Sequence, residues 1–299
     1  MIYRNTKSVI IGRNQNPWTE ANLVSLKKND VPILRRRSGG GTVYHDEGNT
    51  NYSIMIPRGM FDRKTTGELV TRSLISLGLP DIGLNHRHDI CLGSDKVSGS
   101  AYKLTRDRSY HHGTMLINSN LSQLKDFLNP NQSQIVSRAT DSVRSPVTNL
   151  ASRFSNLDHT SFTNSLTRTF LETYYPTLDP DLSPVVINSE ELEQDSAIED
   201  EMKELQSWDW TFGQTPEFSN TIPVQLFGSR LDIHLNIRQG KIHNVELISS
   251  SVSDRFDQQE ITDQLQSILV GQKYGQLELP NDVESEVIKQ IVDAVAQQI

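Results

Sequence analysis

The twenty residues from Leu34 to Ser53, LRRRSGGGTVYHDEGNTNYS, constrain this chain more than any other stretch. Three arginines run into Ser38 and three adjacent glycines, Gly39, Gly40 and Gly41, with β-forming segments on either side. Glycines let a backbone take φ > 0 and approach a ligand closely, and successive N–H groups in such a loop form an anion nest. Arg35, Arg36 and Arg37 supply planar donors suited to phosphate or carboxylate. Residues 43–53 read as a turn over 45–49 followed by a return strand. Two readings stand: a phosphate or carboxylate cradle between two strands, or a surface hairpin with a flexible tip. A P-loop is excluded because no Lys-Ser or Lys-Thr follows the glycines, and three adjacent glycines do not make a dinucleotide fingerprint.

The rest of the 299 residues bounds the class. The length suits one large domain or two ordinary ones. No stretch approaches the roughly 20 apolar residues of a membrane span, and no apolar run of the secretory kind follows Met1. A single cysteine, Cys91, excludes an internal disulfide framework or a cysteine metal cluster and fits a reducing compartment. The net charge is −8. Between Ser189 and Glu204 eight acids stand against one base, Lys203, so the acidity is a local run, a solvated helix face or linker. The remainder is nearly neutral, and no broad basic face points to nucleic acid.

Along the chain, the pattern predicts strands over 8–12, 31–34, 51–57, 87–92, 96–104 and 110–118. Helices are expected over 18–29, 62–79, 121–128 and 160–175, the second carrying Leu69, Val70, Leu74, Ile75 and Leu77. Residues 129–146 show no period and read as a long loop, the kind that often serves as a lid. Past the acidic run, 208–216 is aromatic and turn-rich. Residues 224–237 and 242–248 form a hairpin about Gln239-Gly240, and 262–270 and 283–297 read as helices. The expected division is a catalytic domain over 1–206 and a small α+β accessory domain over 207–299.

A second cluster bears chemistry. In DKVSGSAYK, Lys96 stands at a strand start beside a Gly-Ser pair; in YHHGT, His111 and His112 precede a glycine, and Asp89 lies upstream. A lysine beside an anion loop can stabilise charge on an acyl oxygen and a phosphate together. Adjacent strand residues face opposite sides, so the two histidines are not a metal pair.

RRRSGGGTVYHDEGNTNYS, KVSGSAYK, YHHGTMLIN and SVRSPVTNL, in that order, closely resemble lipoate–protein ligase A and its lipoyltransferase relatives, and WDWTFGQTPEFS resembles the start of that family's accessory domain. The resemblance implies an α+β fold: a biotin/lipoate ligase-like catalytic domain, with a mixed or antiparallel sheet flanked by helices, plus a small α+β C-terminal domain. It implies ATP-dependent conversion of lipoate to lipoyl-AMP, then transfer of the lipoyl group to a carrier lysine. It assigns Arg36 and the Gly41, Thr42, Val43, Tyr44 backbone to the nucleotide, with Ser38, Gly39, Gly40, His112 and Arg144 around them. Lys96 is assigned to both lipoyl carbonyl and phosphate. Mg²⁺ is expected on the phosphates, with Asp89 as its candidate ligand. The stretch 129–146 matches the loop that covers the adenylate, and Val43 with its neighbouring strands is the candidate slot for the lipoyl tail. The implied partners are apo lipoyl domains of 2-oxoacid dehydrogenase acyltransferase subunits and the glycine-cleavage carrier protein, with neither nucleic acid nor membrane.

Relatives carry a strand and helix ahead of the position where this sequence starts, so an N-terminal segment is expected to be missing. Lys103 stands where bacterial relatives tend to have Arg, and Ser137-Arg-Ala-Thr140 where a Lys-Gly pair is common. The expected location is cytoplasmic, or mitochondrial for a eukaryotic source with an incomplete start. Three alternatives to a full ligase remain open: a transferase using preformed lipoyl-AMP, a transacylase with Cys91 as nucleophile, and a module that binds lipoyl-AMP or the carrier without turnover.

Overall fold

The computed structural model describes all residues except 131–133, 180–181, 183, 189–194, 227–228 and 249–256. In chain order its elements are β1 (Ile2–Tyr3), β2 (Ser8–Ile11), α1 (Pro17–Glu20), α2 (Leu23–Lys28), β3 (Ile33–Arg35), β4 (Val43–His45), β5 (Asn49–Pro57), α3 (Arg63–Ser76), β6 (Ile82–Leu84), β7 (Ile90–Leu92), β8 (Asp95–Ser98), β9 (Ser100–Leu104) and β10 (Arg108–Leu116). They continue with α4 (Leu121–Phe127), β11 (Ile135–Ser137), α5 (His159–Tyr174), α6 (Ser196–Gln206), α7 (Trp208–Thr211), β12 (Phe218–Leu226), β13 (Ser229–Arg238), β14 (Lys241–Leu247), α8 (Gln258–Leu269) and α9 (Glu286–Ala296). This is an α+β fold.

Two compact units share the chain. The first comprises Met1–Arg13, Val24–Leu128 and Ser142–Glu204. It holds an antiparallel sheet in the order β1-β5-β10-β9 and two small sheets, β3-β2-β4 and β6-β7-β8. Side chains alternate across β5 and β10. One face, with Tyr52, Ile54, Ile56 and Met115, packs on Leu69, Val70 and Leu74 of α3 and on Phe162 and Leu166 of α5. Asp62 caps α3 by accepting from the Thr65 N–H, and Asp158 forms a capping box with Ser161 at the start of α5.

The second unit comprises Asn14–Leu23, Asn129–Asp141 and Leu205–Ile299. Its sheet runs β11-β12-β13-β14. Ile222, Val224, Leu231, Ile233 and Leu235 line one face, buried with Ile261, Leu265 and Leu269 of α8 and Ile288, Ile291 and Val292 of α9. Trp18 belongs to this core, with ring centroids 5.2 Å from Phe212, 5.3 Å from Phe218 and 5.1 Å from Tyr274.

Several elements differ from the sequence pattern. The helix expected over 18–29 is two short ones, because Ala21 takes extended backbone (φ −133°, ψ 150°). The strand expected over 96–104 breaks at Gly99 into β8 and β9, which join different sheets. The structureless reading of 129–146 missed β11, which pairs Ile135 with Asn220 and Ser137 with Phe218. The strand expected over 224–237 is two, β12 and β13, paired from Phe218↔Ile237 to Leu226↔Ser229. The residues joining them lie outside those described.

Candidate active site

Of the three arginines, each has a separate task. Arg35 is 1 % exposed and donates through Nη1 to the Gly12 and Arg13 carbonyls, 3.2 and 3.1 Å away. Arg36 turns back under the glycines. It donates to the Gly39 carbonyl at 2.6 Å, the Gly41 carbonyl at 2.8 Å, the Ile10 carbonyl at 3.1 Å and Ser38 Oγ at 3.1 Å. Burial lowers its pKa to about 10, so it keeps its charge at neutral pH. Arg36 thus shapes the loop by engaging its carbonyls. Arg37 reaches outward to Glu201 and Glu204 of α6 at 2.5 and 2.6 Å.

The glycine loop is not a hairpin tip. Its flanking strands β3 and β4 pair with β2, in parallel and antiparallel sense, and not with each other. The loop is therefore held at both ends by one strand, which removes the surface-hairpin reading. Gly40 has φ +88°, and a Cβ there would lie 3.1 Å from Arg36 Nη2 and 3.2 Å from the Ala101 Cβ. The backbone conformation demands glycine, and the space for a side chain is tight. Ser38, in the loop after β3, meets β10 through its side chain: its hydroxyl accepts from Arg36 Nε and lies 2.6 Å from His112 Nε2. That arrangement fits a neutral ring protonated on Nδ1. Burial, then the Arg36 charge and the neighbouring histidines, push His112 down to about 4. His111 points to the opposite face, edge-on to Tyr52 at 6.1 Å, and is likewise held near 4, chiefly by burial.

Lys96 lies on β8, and both sides of its backbone are engaged. Its N–H donates to the Pro146 carbonyl at 2.9 Å, and its carbonyl accepts from the Thr148 N–H at 3.1 Å. The ammonium meets Asp89 Oδ1 at 2.9 Å; the two side chains are 22 % and 10 % exposed. Asn85 fixes the turn carrying Asp89, accepting from the Arg87 and Asp89 N–H groups. Gly99 leaves room for the ammonium, since a Cβ there would stand 3.0 Å from Lys96 Nζ and 2.9 Å from Cε.

The 142–150 segment joins loop and lysine. Ser142 Oγ accepts from the Thr42 N–H at 2.9 Å, and four residues later Pro146 and Val147 pair with Lys96. The structure thus brings together Ser38, Gly39, Gly40, Gly41, Thr42 and His112, and the same 142–150 segment that meets Thr42 runs on to the backbone of Lys96. Val43 and Tyr44 contribute through β4, the Tyr44 side chain being core, 5.4 Å from Phe127. Arg144 is exposed. Ser142 was missed as a loop partner, although it opens the SVRSPVTNL stretch. The Lys96–Asp89 pair was missed because a seven-residue separation across a β-turn carries no periodic signal.

Asp89 directs one carboxylate oxygen at Lys96, and among the described residues no group of three or more His, Cys, Asp or Glu could hold a metal ion. These donors do not form a protein metal cage, and no step below depends on one. Cys91 is buried opposite Lys96 in the β7–β8 register. Burial and then Asp89 raise its pKa against the opposing pull of Lys96, the reverse of what an activated thiolate needs.

The comparisons with known proteins point to one family. The family model described as lipoyl protein ligase A/B catalytic domain matches residues 1–171. Lipoate-protein ligase A of Psychrobacter cryohalolentis is 35% identical over 274 residues, 91% of this chain and 79% of that protein. The crystal structure of P. falciparum LipL1 in complex with lipoate superposes with a TM-score of 0.64 at 26% identity, covering 99% of this chain and 84% of that one. A lipoate-protein ligase A bound with ATP gives 0.55 at 28% identity, covering 70% and 83%. A bipartite lipoate protein ligase from Thermoplasma acidophilum, described together with its E2 lipoyl domain, gives 0.56 at 26%, covering 70% and 82%. The glycine loop tied at both ends, the lysine paired beside it and these matches lead to one conclusion: the chain belongs to the lipoate–protein ligase family.

Proposed function

We propose that this protein activates lipoate with ATP and transfers the lipoyl group to a lysine of an apo lipoyl domain. One observation carries the reading: a single segment, 142–150, meets both the glycine loop, through Ser142 at the Thr42 N–H, and the Lys96 backbone, through Pro146. In the first step a lipoate oxygen attacks the α-phosphorus of ATP, and the bond to pyrophosphate breaks. Two anions must be forced together, and the Lys96 ammonium offsets that charge. The Ser38–Gly41 backbone, its carbonyls engaged by Arg36, offers N–H groups to phosphate oxygens. In the second step the carrier amine attacks the acyl carbon, the acyl–phosphate bond breaks, and AMP leaves with the electron pair. Lys96 stabilises the oxyanion without forming a bond to it. Mg²⁺ enters with ATP as part of the substrate.

The raised Cys91 thiol favours this route over a covalent thioester. The ATP-bound and lipoate-bound relatives support the two ligands, and the archaeal relative described with its E2 domain supports an acyltransferase lipoyl domain as carrier. We extend the same reading to the glycine-cleavage carrier. The test is the mass of an apo lipoyl domain after incubation with the protein, lipoate and Mg-ATP, or with lipoyl-AMP alone. A lipoyl increment in both arms is expected, lost in Lys96→Ala. An increment with lipoyl-AMP alone would reduce the protein to a transferase. None in either arm, from folded protein, would leave a binding module.

A further inference from the structure

Two of the three arginines before the glycines are committed inward, Arg35 to the Gly12 and Arg13 carbonyls and Arg36 to the loop. Arg37 is different. It directly precedes Ser38, its side chain is 34 % exposed, and its charge is felt by Tyr110, which also interacts with Ser38. It therefore stands at the outer lip of the cradle. Its Nη2 is met by two carboxylates at once, Glu201 and Glu204, three residues apart on one face of α6. A guanidinium nitrogen that takes two carboxylate oxygens, with the rest of the planar fork beside it, has the charge and donors for a polyphosphate tail.

The helix that supplies those carboxylates is weakly seated. None of its eleven residues is buried. Its Lys203–Glu199 pair, at 2.6 Å, lies within the helix and ties it to nothing else. The side chains of Glu201 and Glu204 are 59 % and 47 % exposed, and ion pairs this exposed are weak and screened by salt. A ligand carrying three or four negative charges has the charge to compete with them for a single arginine.

We propose that Arg37 binds the outer phosphates of the nucleotide, and that Glu201 and Glu204 hold its guanidinium as a built-in competitor until the nucleotide arrives. The inference rests on the ATP-dependent reading above. Nucleotide binding then releases α6 from the loop, and loss of pyrophosphate lets it return. The acidic run thus sets a threshold for nucleotide entry.

The experiment is ATP and pyrophosphate binding by titration calorimetry on the full chain: wild type, Glu201→Gln/Glu204→Gln, Arg37→Ala, and the triple combination. Removing both carboxylates tightens binding by about fivefold at low salt, with the gain fading at high salt. In the Arg37→Ala background the same two changes do nothing. Hydrogen exchange at the α6 amides rises in wild type when ATP is added. The proposal is overturned if the double variant binds ATP like wild type, if it gains equally without Arg37, or if α6 exchange ignores ATP. ATP binding that is independent of α6 sinks this inference alone; wild type that binds no ATP sinks the function on which it rests.

Discussion

Acid should unfold this protein early, because burying three neutral histidines carries a proton penalty. His45, His111 and His112 are each lowered from 6.5 to about 4, in every case first by burial; Arg36 adds to the effect at His45 and His112, and Arg63 at His111. In the unfolded chain each returns to its ordinary value. Between roughly pH 6.5 and pH 4 the unfolded state therefore binds more protons than the folded one, and stability falls as pH falls. Their contribution is complete above pH 6.5 and is lost as pH drops through about 4. A gap of about 2.5 in pKa is worth about 3.4 kcal/mol per histidine at most. Three would sum to about 10 kcal/mol, comparable with the whole stability of an ordinary domain. The full amount is not reached if the fold gives way first, so the slope is the better observable: about 4 kcal/mol per pH unit with all three engaged. Urea unfolding followed by far-UV circular dichroism at pH 7.5, 6.5 and 5.5 measures it. His111→Leu keeps an apolar ring-sized site, and its buried Nδ1, which has no hydrogen-bond partner, goes with the ring. That variant should lose about one proton, about 1.4 kcal/mol per pH unit, from the slope. A wild-type midpoint flat across this range, or an unchanged slope in His111→Leu, would refute the reasoning.

Further predictions test the site and its support. Asp89→Asn removes the 2.9 Å partner of Lys96; transfer of the lipoyl group should fall by about tenfold or more, and by nothing further in a Lys96→Ala background. Gly113→Ala forces a Cβ against the Tyr52 hydroxyl and the Gly99 carbonyl, so the urea midpoint should drop by the equivalent of about 2–4 kcal/mol. Cys91→Ala should retain lipoyl transfer within about twofold, since a buried thiol with a raised pKa is a packing residue; loss of a thioester-dependent activity would revive the transacylase route.

The candidate site stands out in the sequence because the features that mark it are local. Glycines between β-formers, and a lysine beside a Gly-Ser pair, place backbone and charge by covalent neighbourhood alone. The α3 helix was legible because Leu69, Val70 and Leu74 repeat with the helical period and Asp62 caps it. What escaped depends on distant partners. β11 is three residues long and exists only through Phe218–Asn220. Pro223, a residue that breaks strand patterns, hid the first half of β12, which pairs with β13 along its whole length. The RRR run reads as three equal donors, and only the β2–β3 pairing reveals that one is buried, one clips the loop and one faces α6. That 14–23 and 129–141 group with Leu205–Ile299 could not be read from the sequence, since the packing of Trp18 leaves no mark on its neighbours.

Trp18 also sets an order of events at the ribosome. It leaves the exit tunnel well before the rings that cover it, Phe212, Phe218 and Tyr274, are made. At ordinary elongation rates the intervening stretch takes roughly 10–50 s to synthesise. For that time a tryptophan destined to be 3 % exposed has no native cover. The nascent chain therefore carries an apolar anchor that only residues roughly two hundred positions later can satisfy, so the core of the second unit closes after the residues of the first have been made.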